Sequence, residues 1–185
     1  GMPPNIYNTA LIMKKLFIRK GALQVTFFLA SLLCLPGASL SQELIIEPVL
    51  PLSLAQKAVN AAREKCEADG YKVSVTIVDS GGNLKAQVKS DGAGPHTSDS
   101  SFKKAYTALT LRRSTTEMSK LADSTPTLKS LEKINDKIIL LAGGLPIKTG
   151  DITIGGIGVG GAPGGQLDEA CAKEGIESLK SALSK

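Results

Sequence analysis

Apolar residues recur at three- and four-residue spacing at Ala55, Ala58, Val59, Ala62 and Cys66, which predicts a helix with one narrow inward face. Ser53, with Gln56 three residues on, has the pattern of a capping box for that helix, and Gly70 suits the position after its C-cap. Val73, Val75 and Ile77 then alternate with Ser74 and Thr76, the period of a strand. Asp79-Ser-Gly-Gly-Asn83 reads as a hairpin turn, with Asp79 accepting backbone hydrogen bonds. In the return strand Leu84, Ala86 and Val88 alternate with Lys85, Gln87 and Lys89, so an antiparallel sheet with a half-wet strand is expected.

A Gly- and Asp-rich loop from Ser90 to Pro95 follows, with Asp91 another turn acid. The next helix is expected to be capped by Thr97 or Ser98 and to bury Phe102, Ala105, Tyr106 and Leu109, leaving Lys103, Lys104, Thr107 and Thr110 off that face. Ser114-Thr-Thr116 marks its end and a new cap, Glu117–Ala122 a further turn or two, and Leu128, Leu131 and Ile134 a weaker helical segment after Pro126. Ile138–Leu141 and Leu145–Lys148 read as short strands flanking the Gly143-Gly144 turn. Thr149-Gly-Asp151 then turns into a long strand starting at Ile152, in which glycines alternate with β-branched residues. Missing Cβ atoms there allow another element to approach closely. Leu167, Cys171, Leu179, Ala182 and Leu183 are the apolar positions of a last helix, with Asp168 and Glu169 in its first turn. Helix, two strands, helices, three strands, helix is the order of an α+β domain on an antiparallel sheet of roughly five strands.

The first 41 residues have a different pattern. Gly1 reads as a residue appended before Met2, with Met13 an alternative start. Lys14, Lys15, Arg19 and Lys20 precede an apolar run from Ala22 to Leu35, and small or turn residues fill Pro36 to Ser41. That is the order of a secretory signal peptide, and the run is short of the roughly 20 residues a spanning helix requires. The expected organisation is a signal over 1–41, a leader over 42–51 and one domain over 52–185. The mature chain is expected to be exported, periplasmic or secreted, without a stable membrane span.

Charge looks different once the signal is set apart. The chain has 22 basic and 17 acidic residues, a formal net charge of +5. Four of the basic residues and none of the acids precede position 42, so the mature part keeps 18 against 17 and the surplus falls to +1. No nucleic-acid surface is expected, since Phe102 is the mature part's one Phe and the chain has no Trp. Cys66 and Cys171 are either a disulfide, as export would permit, or two separate buried thiols. A metal site built from Cys is unsupported, with no Cys-x-x-Cys motif and one His in the chain. Gly156-x-Gly158-x-x-Gly161 matches a dinucleotide fingerprint only as a string, because its glycines lie inside a strand rather than in a strand-to-helix turn.

Four segments carry a resemblance. Val75-Thr-Ile-Val-Asp79-Ser-Gly-Gly-Asn83-Leu84, Asp91-Gly-Ala93, Lys104-Ala-Tyr-Thr-Ala108, and Gly143-Gly-Leu-Pro-Ile147 with Gly156–Gly164 and Asp168-Glu169 together resemble the GlcG/HbpS-like, or haem-degrading domain, family. The resemblance runs over roughly residues 50–183. It implies a profilin-like α/β/α sandwich that assembles into homo-oligomers, and haem as the cofactor of some members. It also implies that the first and last helices lie side by side, bringing Cys66 near Cys171. Many relatives carry His where this chain has Asn83, so no ligand role is carried over to that position.

His96, the one imidazole, reads either as a surface or capping residue or as an axial haem-iron ligand. Lys103, Lys104, Arg112 and Arg113 read either as a solvated face or as partners of haem propionates or a small organic acid. No hydrolase triad is expected, for want of a nucleophile-elbow pattern. Three functions fit this chain: an oligomeric protein binding haem or a related small molecule, an enzyme acting on haem or a small hydroxy- or keto-acid, or an oligomer-forming subunit. The first is preferred, with His96, Lys103 and Lys104 as its candidate site in a shallow position near Asp91–Ser98, completed by another subunit.

Overall fold

The computed structural model describes residues 43–184, so the expected signal peptide lies outside the described residues. Helix α1 (Leu52–Ala68) leads into strands β1 (Ser74–Asp79) and β2 (Leu84–Lys89). Helices α2 (Thr97–Leu111) and α3 (Thr115–Ser124) and a 3-10 helix over Pro126–Lys133 follow. Strands β3 (Gly144–Thr149) and β4 (Ile152–Gly160) and helices α4 (Gly165–Glu177) and α5 (Lys180–Leu183) complete the chain. The sheet is antiparallel in the order β2-β1-β4-β3.

The β1–β4 register sorts the sheet's two faces. Ser74, Thr76 and Val78 lie opposite Gly160, Gly158 and Gly156, while Val75 and Ile77 lie opposite Val159 and Ile157. The first set faces α2. A Cβ on Gly158 would sit 2.1 Å from the Ser101 carbonyl oxygen, and one on Gly156 2.2 Å from that of Ala105. Helix α2 therefore rests directly on the β4 backbone. Hydroxyls pair across the same interface, Ser74 Oγ with Thr97 Oγ1 and Thr76 Oγ1 with Ser101 Oγ, each at 2.7 Å. On the opposite face Val75, Ile77, Ile157 and Val159 join Ala55, Ala58, Val59 and Ala62 of α1 and Ala172 of α4 in the main core. Gly175 of α4 lies so close to α1 that a Cβ would be 2.8 Å from the Ala58 carbonyl oxygen. The result is an α/β/α sandwich, with α2 on one side and α1 beside α4 on the other.

Several expectations need correction. Among the described residues four strands form rather than five, because Ile138–Leu141 stays outside the sheet. Its amides meet side chains instead: Ile139 N–H donates to Thr107 Oγ1 and Leu140 N–H to Glu132 Oε1. Helix α1 starts one residue before Ser53, with Pro51 at its N-cap and no side-chain cap, so no capping box forms. Neither Thr97 nor Ser98 caps α2, and the Thr97 hydroxyl donates backwards to the Gly94 carbonyl. Phe102 and Tyr106 are only partly buried, whereas Lys104 and Thr107 are buried, because the glycine face of β4 draws that side of α2 inward. The Leu128–Ile134 segment forms 3-10 turns and buries none of its side chains. The last helix breaks at Ser178, and Leu183 belongs to α5. Among the described residues no helix is long and apolar enough to cross a membrane.

Candidate functional site

The recurrent glycines, Lys104 and Asp168 converge on one buried point. Lys104 Nζ donates to Asp168 Oδ2 and to the Val159 carbonyl, each at 2.8 Å. Asp168 Oδ1 accepts the Ala162 amide at 3.0 Å, so both carboxylate oxygens are engaged. Lys104 is 2 % exposed and Asp168 3 %. Burial pushes the Asp168 carboxyl above its ordinary pKa, against the opposing pull of the Lys104 ammonium and the Ala162 amide. Gly143, at φ +119°, closes over the pair, and a Cβ there would fall 2.7 Å from Asp168 Cβ and 2.9 Å from Lys104 Nζ. Beside it the Gly144 amide donates to Thr115 Oγ1 at 2.8 Å, and the Thr116 hydroxyl donates to Glu169. These contacts tie α2, α3, β4 and α4 together. The Lys104 ammonium points into the fold, which corrects its placement on the wet side of α2.

His96 and Lys103 have different surroundings. His96 is exposed at the N-cap position of α2 and makes no side-chain hydrogen bond among the described residues. Its ring lies over Gly94, where a Cβ would come within 2.8 Å of Cε1 and 3.0 Å of Nδ1. Lys103 follows seven residues later on the same side of the helix, about 10 Å along an axis rising 1.5 Å per residue. Its ammonium pairs with Asp99 at 3.0 Å. The structure thus brings His96 and Lys103 to one face and separates Lys104 from both. Haem requires an iron donor, a cation for its propionates and an apolar wall for the ring. His96 and Lys103 have the donor chemistry of the first two, while their chain neighbours Gly94, Pro95, Thr97 and Asp99 offer no apolar wall.

At the other end of α2 a cleft of about 220 Å³ opens between the β1–β2 turn and Arg112. His96 is not among its lining residues. Among the described residues, no group of three or more His, Cys, Asp or Glu side chains could hold a metal ion. Cys66 of α1 and Cys171 of α4 are bonded, with their Cα atoms 5.5 Å apart. Sequence reasoning missed Asp168 as the partner of Lys104. It saw the residue as first-turn charge and as part of the resemblance, and a separation of 64 positions leaves no periodic signal of the pairing.

The profile of the HbpS-like haem-degrading proteins matches residues 50–177. A solved double mutant of HbpS from Streptomyces reticuli is 40 % identical, with a TM-score of 0.70 over 79 % of this chain and 97 % of that one. The solved PduOC–haem complex is 27 % identical, with a TM-score of 0.65 over 71 % of this chain and 95 % of that one. A 15.0 kDa protein from the dhaT-dhaS intergenic region of Citrobacter freundii is 33 % identical over 113 residues, 60 % of this chain and 80 % of that protein. The profile match spans most of the described domain, and the chain belongs to the HbpS-like haem-degrading family.

Proposed function

We propose that the chain is an exported haem-binding protein that holds its cofactor on the N-terminal face of α2, at a site completed by a second copy of itself. The observation that carries this reading is the exposed His96 imidazole, which makes no side-chain hydrogen bond among the described residues and shares a helix face with Lys103, in a chain of this family. With Nδ1 against Gly94, Nε2 is the nitrogen left for iron. Lys103 would exchange Asp99 for a propionate, a charge-assisted contact of the same kind. Bound haem supplies the redox chemistry, while the chain supplies the donor, the charge and the orientation. A second subunit would provide the apolar cover, since a domain this small needs its own apolar residues for folding. The Cys66–Cys171 bond supports export, because such bonds persist in oxidising compartments.

A haem titration of the purified protein, followed by absorbance, tests the proposal. Saturation of the Soret shift at one haem per subunit or per pair is expected, with light scattering reporting an assembly larger than one chain. A featureless, non-saturating spectrum would contradict it. Loss of haem absorbance on adding reductant and oxygen would extend binding to degradation.

A further inference from the structure

We propose that the cleft at the C-terminal end of α2 is a second binding site, for a small oxyanion bearing a carboxylate or phosphate group, with Arg112 as its cation. Arg112 occupies the left-handed region at φ 56°, ψ 27°, the one non-glycine residue with positive φ among the described residues. A helix C-cap of this shape ordinarily takes Gly or Asn, and an Arg there holds a strained backbone. Arg113 next to it pairs with Glu117, but Arg112 has no ion pair among the described residues. It lines the cleft with Ser80, Thr110 and Thr153, whose hydroxyls have no protein hydrogen-bond partner among the described residues.

The walls of this cleft are fixed before any ligand arrives. Asp79 Oδ1 accepts the Gly81 and Asn83 amides at 2.9 Å each, which sets the turn and engages the carboxylate of that turn. Gly82, at φ +76°, lies against Tyr106, and a Cβ there would be 2.6 Å from Tyr106 Cε2. Lys137 holds that ring from 5.2 Å off its centroid, and Asn135 Nδ2 donates to the Tyr106 hydroxyl at 3.4 Å. A guanidinium fork without an acid, beside three unpaired hydroxyls on a rigid wall, matches the planar geometry of a carboxylate or the oxygens of a phosphate.

The test is an amide-resolved NMR titration of the purified, haem-free protein with inorganic phosphate and, separately, with sodium acetate, each against sodium chloride at matched ionic strength. Saturable shifts at Ser80, Gly82, Arg112 and Thr153 with either probe are expected, and the stronger probe identifies the oxyanion class. Arg112→Gly should weaken binding at least tenfold while its melting temperature holds or rises, since Gly relieves the left-handed strain. Thr153→Val, which keeps the shape of the wall, should weaken binding several-fold. No saturable shift with either probe, or equal affinity in a folded Arg112→Gly, would overturn the proposal. The haem-free design separates this outcome from any result at His96.

Discussion

Lys104 Nζ lies 2.8 Å from Asp168 Oδ2, across 64 positions of sequence, and both side chains are buried. The contact ties α2 on one face of the sheet to the first turn of α4. Lys104→Met removes the cation and leaves a buried carboxylate unpaired, so we expect a loss of about 3–5 kcal/mol. Adding Asp168→Leu should recover much of that loss, since well-packed apolar residues can replace a buried pair. Urea unfolding of the two variants reads both effects, and a single variant within about 1 kcal/mol of the parent would contradict the assignment.

The pH dependence has a definite sign. Burial raises the Asp168 pKa above its ordinary 3.8. Between 3.8 and the raised value the folded chain keeps a proton that the unfolded chain has released. Stability from this group is therefore full below 3.8, falls as pH rises through the window, and is level above it. The parent's stability margin over Asp168→Asn should shrink with rising pH across that window. A margin that grows would reverse the sign.

The glycine face of β4 should tolerate no side chain. Gly158→Val places atoms against the Ser101 carbonyl and should cost about 1–3 kcal/mol as overpacking. Gly164→Ala is the control, because the nearest atom to its Cβ is Gln166 Oε1 at 3.5 Å. Thermal melts should separate the two variants clearly. Equal melting temperatures would show that α2 can lift off the strand.

Reduction should loosen the α1–α4 layer. The Cys66–Cys171 bond closes a loop of 105 residues, and its loss should cost about 2–4 kcal/mol, read from unfolding with and without reductant. Unchanged stability would mean that helix packing alone holds the layer.

What the sequence disclosed follows from the range of each signal. The β1–β2 hairpin was legible because Asp79, Gly82 and Asn83 act within a few residues of one another. The α1 face was legible from its Ala and Cys spacing, which matches the buried set. Helix α2 was misjudged on one side because its buried surface carries Ser101, Lys104 and Thr107, whose partners come from distant elements. Ile138–Leu141 has strand-like residues, yet Thr107 and Glu132 take two of its amides. His96 and Lys103 share a face through helical spacing alone, while the inward turn of Lys104 depends on Asp168 and Val159. The αL backbone of Arg112 had no local signature, since no Gly or Asn stands there.

The most direct test of the account is a haem titration of His96→Ala beside the parent, with circular dichroism confirming that both are folded. His96 is exposed and makes no side-chain hydrogen bond among the described residues, so the variant should fold normally. His96→Ala should lose the parent's Soret position and bind haem at least tenfold more weakly. Unchanged affinity and spectrum in His96→Ala would contradict it.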